Sequence, residues 1–220
     1  MSPARKPETL ASMAGLPQVP GTPDNSVLLI IDGQLEYTAG RLPLSGIDAA
    51  VEEGTRLLSY ARALGIPVFH AIHHARQGAP VFDPEGPYVG FIPALAPVEG
   101  ESVIVKALPN AFAGTTLAAA ISAIGRREIV IAGFATHMCV SATARSALDH
   151  GFRSVVVANA TATRDLSHPL GAGVVSAAAV HAATLAALSD RFSVVVQDTV
   201  ALLRNAGSAR TIVTPPLPMQ

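Results

Sequence analysis

The sequence predicts one α/β domain, a doubly wound and mostly parallel six-stranded sheet with helices on both faces. Three observations carry this. Short apolar runs of strand length recur along the chain, and they are continuous rather than alternating, as strands covered on both faces are. Between them lie Ala-rich or amphipathic segments of helical length, so strand and helix alternate. The 220 residues show no repeat period and no linker within the body, and half of them are hydrophobic, enough for one large core.

The elements follow in order. Residues 1–24, rich in Pro, Ser and Ala at the start, read as a flexible or arm-like tail, and 25–204 as the folded domain. Val27 to Ile31 follows a Pro-Asp-Asn turn cluster, stops at Asp32-Gly33 and reads as a buried strand. Ser45 to Leu64 reads as a helix, with Ser45 as cap and Val51, Leu57, Leu58, Ala61 and Leu64 on one face; Gly65 and Pro67 end it. Val68 to Ile72 is the second strand. Residues 74–100, rich in Pro and Gly, read as one long loop of the kind that covers a site or an interface. Then come strand Val103–Val105, helix Thr115–Ile124, strand Ile129–Ile131, helix Val140–His150 ended by Gly151, strand Ser154–Val157, helix Val174–Leu188 and strand Val194–Val196. Residues 205–220 read as a C-terminal tail. This is a Rossmann-like succession, and in such sheets ligands bind beyond the carboxyl ends of the strands.

Composition narrows the partners. A formal net charge of −1 without a Lys/Arg-rich run argues against a nucleic-acid partner. Without an apolar run near twenty residues, no membrane span is expected. The single cysteine forms no internal disulfide, which points to the cytosol.

Three strand ends carry chemistry. Asp32 follows the first, Lys106 the third, and Gly133-Phe134-Ala135-Thr136-His137-Met138-Cys139 the fourth, with Cys139 expected to open the next helix. A helix N-terminus and a nearby ammonium both favour a thiolate. Asp32 would take the thiol proton and return it to a leaving amine, and backbone N–H groups at the helix start would hold an oxyanion.

At these residues the sequence resembles the isochorismatase-like cysteine hydrolases. LLIIDGQLEY (28–37) is similar to that family's opening strand and Asp-x-Gln motif, VIVKALPNAFAGTTL (103–117) to its lysine strand, and IAGFATHMCVSATARSALDHGF (131–152) to its nucleophile segment. The resemblance runs from about residue 26 to 197. It implies Asp32 as catalytic carboxylate, Lys106 as catalytic lysine and Cys139 as nucleophile. It also implies a cis Phe134–Ala135 peptide and an oxyanion hole from the N–H groups of Ala135 and Cys139. Gln34, Tyr37 and Phe112 match positions near the pocket. His73 and His137 are further candidates for substrate contact, while His181 reads as a packing residue.

Departures refine the expectation. FHAIHHARQ (69–77) lacks the Asp-x-His metal motif of the nicotinamidase branch, so neither a metal site nor a cofactor is expected. Cys139 is present, whereas true isochorismatases cleave a vinyl ether without a cysteine. The leading expectation is hydrolysis of a small amide, carbamoyl, ureido or lactam through a thioester. The Phe-Asp-Pro-x-x-Pro stretch (82–87) is similar to that of relatives that open the lactam of streptothricin-type antibiotics. The alternatives are ether hydrolysis driven by Asp32 and a non-catalytic thiol redox sensor. The family resemblance also implies a homo-oligomer.

Overall fold

The computed structural model describes residues 6–208. Six parallel strands form the central sheet: β1 (Ser26–Ile31), β2 (Val68–His73), β3 (Ser102–Lys106), β4 (Glu128–Phe134), β5 (Arg153–Ala162) and, after a two-stranded hairpin of β6 (Leu166–Ser167) and β7 (Val174–Val175), β8 (Val194–Val196). Their order is β3-β2-β1-β4-β5-β8. The chain builds outward from β1 in one direction and from β4 in the other, so the β1/β4 seam is the topological switch point. The expected doubly wound sheet is the observed one.

Alternation along β1 shows how the sheet divides two cores. Leu28 and Ile30 face one, with Leu57, Leu58 and Ala61 of α2 (Ile47–Ala63) and Leu202 of a late helix, α6 (Thr199–Ser208). Val27, Leu29 and Ile31 face the other, with α3 (Leu117–Ala123), α4 (Ser141–Asp149) and α5 (Ala177–Arg191). Since both faces of β1 are covered, the run carries no polar alternation, and all six residues are buried.

At the seam the strands approach so closely that one position tolerates only glycine. Gly133 has φ +110°, and a Cβ there would lie 1.9 Å from the Ile31 carbonyl oxygen.

Several sequence expectations need correction. Ser45 does not cap α2; Gly46 occupies that position without a side-chain cap, and the Ser45 N–H donates to Thr163 O. The sheet extends β5 to Ala162, beyond the apolar run that ends at Val157, through a register shift opposite Ile131–Gly133. Val174-Val175 is not helical: it pairs antiparallel with Leu166-Ser167, and Ser176 then caps α5 by accepting from the Ala179 N–H. The helix α6 crosses the expected boundary at residue 204; buried Glu53 of α2 anchors its start by accepting from the N–H and hydroxyl of Thr199.

The described part of the N-terminal segment lies on its own domain. It includes a short helix, α1 (Leu10–Met13), and the Leu10 N–H donates to Asp190 Oδ1. Gly21 N–H donates to Glu128, and Arg153 donates to Val19 O. Residues 1–5 and 209–220 of the two expected tails lie outside the described residues.

Segment 74–100 is irregular, as expected, with one 3-10 turn at Pro93–Leu95. It is tied down by buried groups: Phe82, Ile92 and Leu95 enter the core, and Glu101 beyond it accepts from Arg62, His70 Nε2 and the Val98 N–H. Phe82 adopts φ +54°, a conformation unfavourable for a bulky side chain.

Candidate active site

Asp32, Lys106 and Cys139 come together over the carboxyl end of the sheet. Asp32 and Cys139 follow the two strands that flank the switch point. Lys106 ends β3, which is not adjacent to them: β2 lies between, and the long lysine side chain crosses it. Cys139 does not open α4 as expected. It lies in a wide π-helical turn, Thr136–Val140, that precedes the helix. The Phe134–Ala135 peptide entering this turn is cis. Asp32 leaves the sheet with φ +48°, its N–H bonded to Ala71 O, a backbone region that aspartate enters more readily than most residues.

All three are nearly inaccessible, with relative exposures of 0% for Asp32, 2% for Lys106 and 4% for Cys139. Lys106 Nζ lies 2.8 Å from Asp32 Oδ2, 3.1 Å from His73 Nδ1, 3.2 Å from Leu108 O and 3.5 Å from Cys139 Sγ. An ammonium has three hydrogens and no lone pair, so Nδ1 of His73 accepts and its proton resides on Nε2. The second Asp32 oxygen, Oδ1, is buried without a partner. The thiol sulfur, a carboxylate oxygen and the imidazole nitrogen all lie within 4.8 Å of one another.

Burial dominates the protonation of this cluster. It raises the Asp32 carboxyl above its ordinary range against the opposing pull of Lys106. His73 is held down to about 4, chiefly by burial and then by the Lys106 charge. The Cys139 thiol is pushed far up, first by burial and then by the Asp32 charge, with Lys106 opposing. This runs against the expectation of a thiolate: desolvation and a neighbouring carboxylate outweigh one ammonium and favour the neutral thiol.

The other predicted residues divide. His73 joins the cluster through Lys106. Tyr37 is buried against Phe82 and Phe134, with ring centroids 5.4 and 5.9 Å away; burial and the charges of Asp32 and Cys139 keep its hydroxyl protonated. Gln34 is not free to bind substrate. Its amide nitrogen donates to the carbonyls of His73 and Val89, and its oxygen accepts from the His73 N–H, so it pins the loop to the end of β2. The Phe112 ring packs on His150 at 4.8 Å and Phe152 at 6.0 Å, in the buried cluster that also holds Cys139. His137 engages the Thr163 hydroxyl through Nδ1, leaving only its other ring edge available. His181 does more than pack: it shares a hydrogen bond with the fully buried Thr136 hydroxyl and ties the Thr136–Val140 turn to α5. Sequence reasoning missed Arg164, just beyond β5, whose charge acts on both Tyr37 and His137. The sequence offered no signal for it, because the apolar run of β5 ends at Val157, seven residues earlier. A cavity of about 580 Å³ is lined in part by Thr163 and His181, the hydrogen-bond partners of His137 and Thr136.

Fold and site together define a doubly wound α/β protein with a buried Asp–Lys–Cys cluster at the carboxyl end of its sheet. The isochorismatase domain model matches residues 26–200, and the chain belongs to the isochorismatase family of hydrolases. A secreted isochorismatase effector of Verticillium dahliae is 36% identical over 185 residues, covering 84% of this chain and 94% of its own. Maleamate amidohydrolase of Pseudomonas putida is 40% identical over 146 residues, covering 59% and 68%. The crystal structure of an isochorismatase from Pseudomonas putida KT2440 superposes with a TM-score of 0.83 at 41% identity, covering 87% and 97%. Among the described residues no helix is long and apolar enough to cross a membrane.

Proposed function

We propose that the protein is a cysteine-dependent hydrolase that cleaves a C–N bond of a small amide, carbamoyl, ureido or lactam substrate through a thioester. The observation that carries this is the buried cluster in which Oδ1 of Asp32 has no hydrogen-bond partner, Lys106 holds Oδ2, and a carboxylate oxygen lies within 4.8 Å of the Cys139 sulfur. A buried carboxylate oxygen without a donor is costly unless a proton arrives there. In this reading Sγ attacks the substrate carbonyl carbon as its proton passes to Oδ1. The N–H groups of Ala135 and Cys139 receive the oxyanion. Asp32 then protonates the leaving nitrogen, the C–N bond breaks, and the acyl group remains on sulfur. Water, deprotonated by Asp32, attacks the thioester and regenerates the thiol.

Arg164 near Tyr37 and His137 favours a substrate with an anionic end, and the maleamate amidohydrolase relative is named for such a compound. Asp32-driven ether cleavage is the second reading, favoured by the isochorismatase name of the Verticillium relative. A redox sensor fits less well, since sensing thiols are exposed and of low pKa, whereas Cys139 is buried with a raised one. The working form in this reading is a homo-oligomer acting on a small molecule, with neither nucleic acid nor membrane as partner. A single cysteine fits the cytosol, whereas the Verticillium relative is described as secreted; cell fractionation decides between them.

The test is a panel of small amides and ureido acids, monitored by ammonia or amine release, with intact-mass detection of a substrate adduct. Cys139→Ala is expected to lose both turnover and adduct while keeping its fold. Near-normal activity in that variant would transfer the case to ether hydrolysis.

A further inference from the structure

The Lys106 ammonium occupies the middle of a donor set that suits a divalent cation. A carboxylate oxygen of Asp32, Nδ1 of His73 and Sγ of Cys139 lie within 4.8 Å of one another, with Nζ 2.8, 3.1 and 3.5 Å from Oδ2, Nδ1 and Sγ respectively. Carboxylate, imidazole and thiolate form a three-ligand set that binds zinc or cobalt and leaves a fourth position open. Metal–donor bonds of about 2.0–2.3 Å are shorter than these ammonium contacts, so the donors would have to draw in by roughly 1 Å.

We propose that Lys106 is a resident cation that closes a latent Asp32–His73–Cys139 metal site, so that thiophilic divalent ions bind only in competition with its ammonium. The lysine is poorly placed to step aside. Its side chain is wholly buried, it ends β3 in register with His73 of β2, and Leu108 O holds one of its hydrogens. The His73 lone pair is directed at the same point and is spent on the ammonium while lysine is present. Removing the lysine frees that lone pair and leaves the Asp32 carboxylate without its counter-charge. A divalent ion entering then displaces the thiol proton to solvent and forms a metal–sulfur bond, with no change of oxidation state. The inference uses the same side chains as the proposed hydrolysis but does not depend on amide cleavage, and its readout is metal binding, so either can fail without the other.

The experiment compares the wild-type chain, Lys106→Ala and Lys106→Gln, and the Lys106→Ala chain further changed at Cys139→Ala or His73→Ala. Each is equilibrated with Co²⁺, freed of excess, and read by metal analysis and by the near-ultraviolet sulfur-to-cobalt absorption. Both Lys106 variants should hold one cobalt per chain, about 100-fold more tightly than wild type, as expected from removing a like charge a few ångströms away. The charge-transfer band should vanish without Cys139 and the stoichiometry should fall without His73. Circular dichroism follows the fold. A Lys106 variant that unfolds alone and recovers its spectrum when refolded with Co²⁺ supports the proposal, and failure of both variants to refold with the metal counts against it. Wild-type affinity equal to that of the variants, or binding that survives loss of Cys139 and His73, overturns it.

Discussion

Replacing Asp32 by Asn should separate thiol reactivity from catalysis. The Asp32 charge is the second cause, after burial, of the high thiol pKa, and it acts across no more than 4.8 Å. At that separation two unit charges repel by about 0.9 kcal/mol in a water-like dielectric and by about 3.5 kcal/mol at the effective value of about 20 that suits protein sites. Asparagine removes this repulsion and leaves Lys106, 3.5 Å from Sγ, unopposed. The thiolate population near neutral pH then rises by roughly fourfold to four-hundred-fold. Alkylation by iodoacetamide, followed by intact mass and referred to the wild-type rate, should accelerate by a factor in that interval. Amide turnover should nevertheless collapse, because asparagine neither accepts the thiol proton nor delivers one to the leaving nitrogen. Slower alkylation in Asp32→Asn would mean that Asp32 already holds the proton of a resting thiolate. Undiminished turnover would remove Asp32 from the proton path.

Further outcomes follow from the same geometry. His73 has an ordinary value of 6.5 and a folded value of about 4, so the unfolded chain binds the proton more readily. Its contribution to stability is therefore intact above about 6.5 and is lost as pH falls toward about 4. Urea midpoints at pH 7 and 4.5 should differ more in the wild type than in His73→Asn, and equal differences would contradict the buried neutral imidazole. Activity should survive exhaustive chelation, since an ammonium already fills the cation position; loss on chelation with recovery on zinc would refute this. Gly133→Ala should cost more than about 4 kcal/mol or prevent folding, because its Cβ would strike the Ile31 carbonyl; a near-native denaturation midpoint would contradict the β1–β4 spacing.

What could be read before the structure follows from what each residue's environment encodes locally. Runs such as Val27–Ile31 are legible because a strand covered on both faces must be apolar at every position. The helix Thr199–Ser208 escapes, since its anchor is Glu53, some 146 residues earlier in the chain. The β6–β7 hairpin escapes because two-residue strands have no period to detect. At the site, Asp32, Lys106 and Cys139 are legible as reactive residues at or just beyond the ends of apolar strands. Which way a side chain points is not, so the sequence does not tell that Gln34 spends its amide on backbone groups or that Phe112 stacks on Phe152. The sign of the thiol shift was missed for a related reason: helix position and one lysine can be counted in a sequence, but desolvation cannot.

For the proposed hydrolysis, that sign constrains the path of the thiol proton. Asp32 and Lys106 already compensate each other in a volume closed to water. Ionising Cys139 into solvent would leave one uncompensated negative charge there, which is costly. Passing its proton to Oδ1 leaves the total charge unchanged, because the negative charge moves from carboxylate to sulfur and, on attack, from sulfur to the substrate oxygen. Throughout, Lys106 stays within reach of both starting points, 2.8 Å from Oδ2 and 3.5 Å from Sγ. Burial raises the proton affinity of donor and acceptor alike, so it largely cancels from the transfer between them while suppressing the free thiolate. A closed pocket thus disfavours attack by the resting enzyme on stray electrophiles. It does not disfavour a concerted attack on a bound carbonyl, where the new oxyanion finds its own donors at the N–H groups proposed for Ala135 and Cys139.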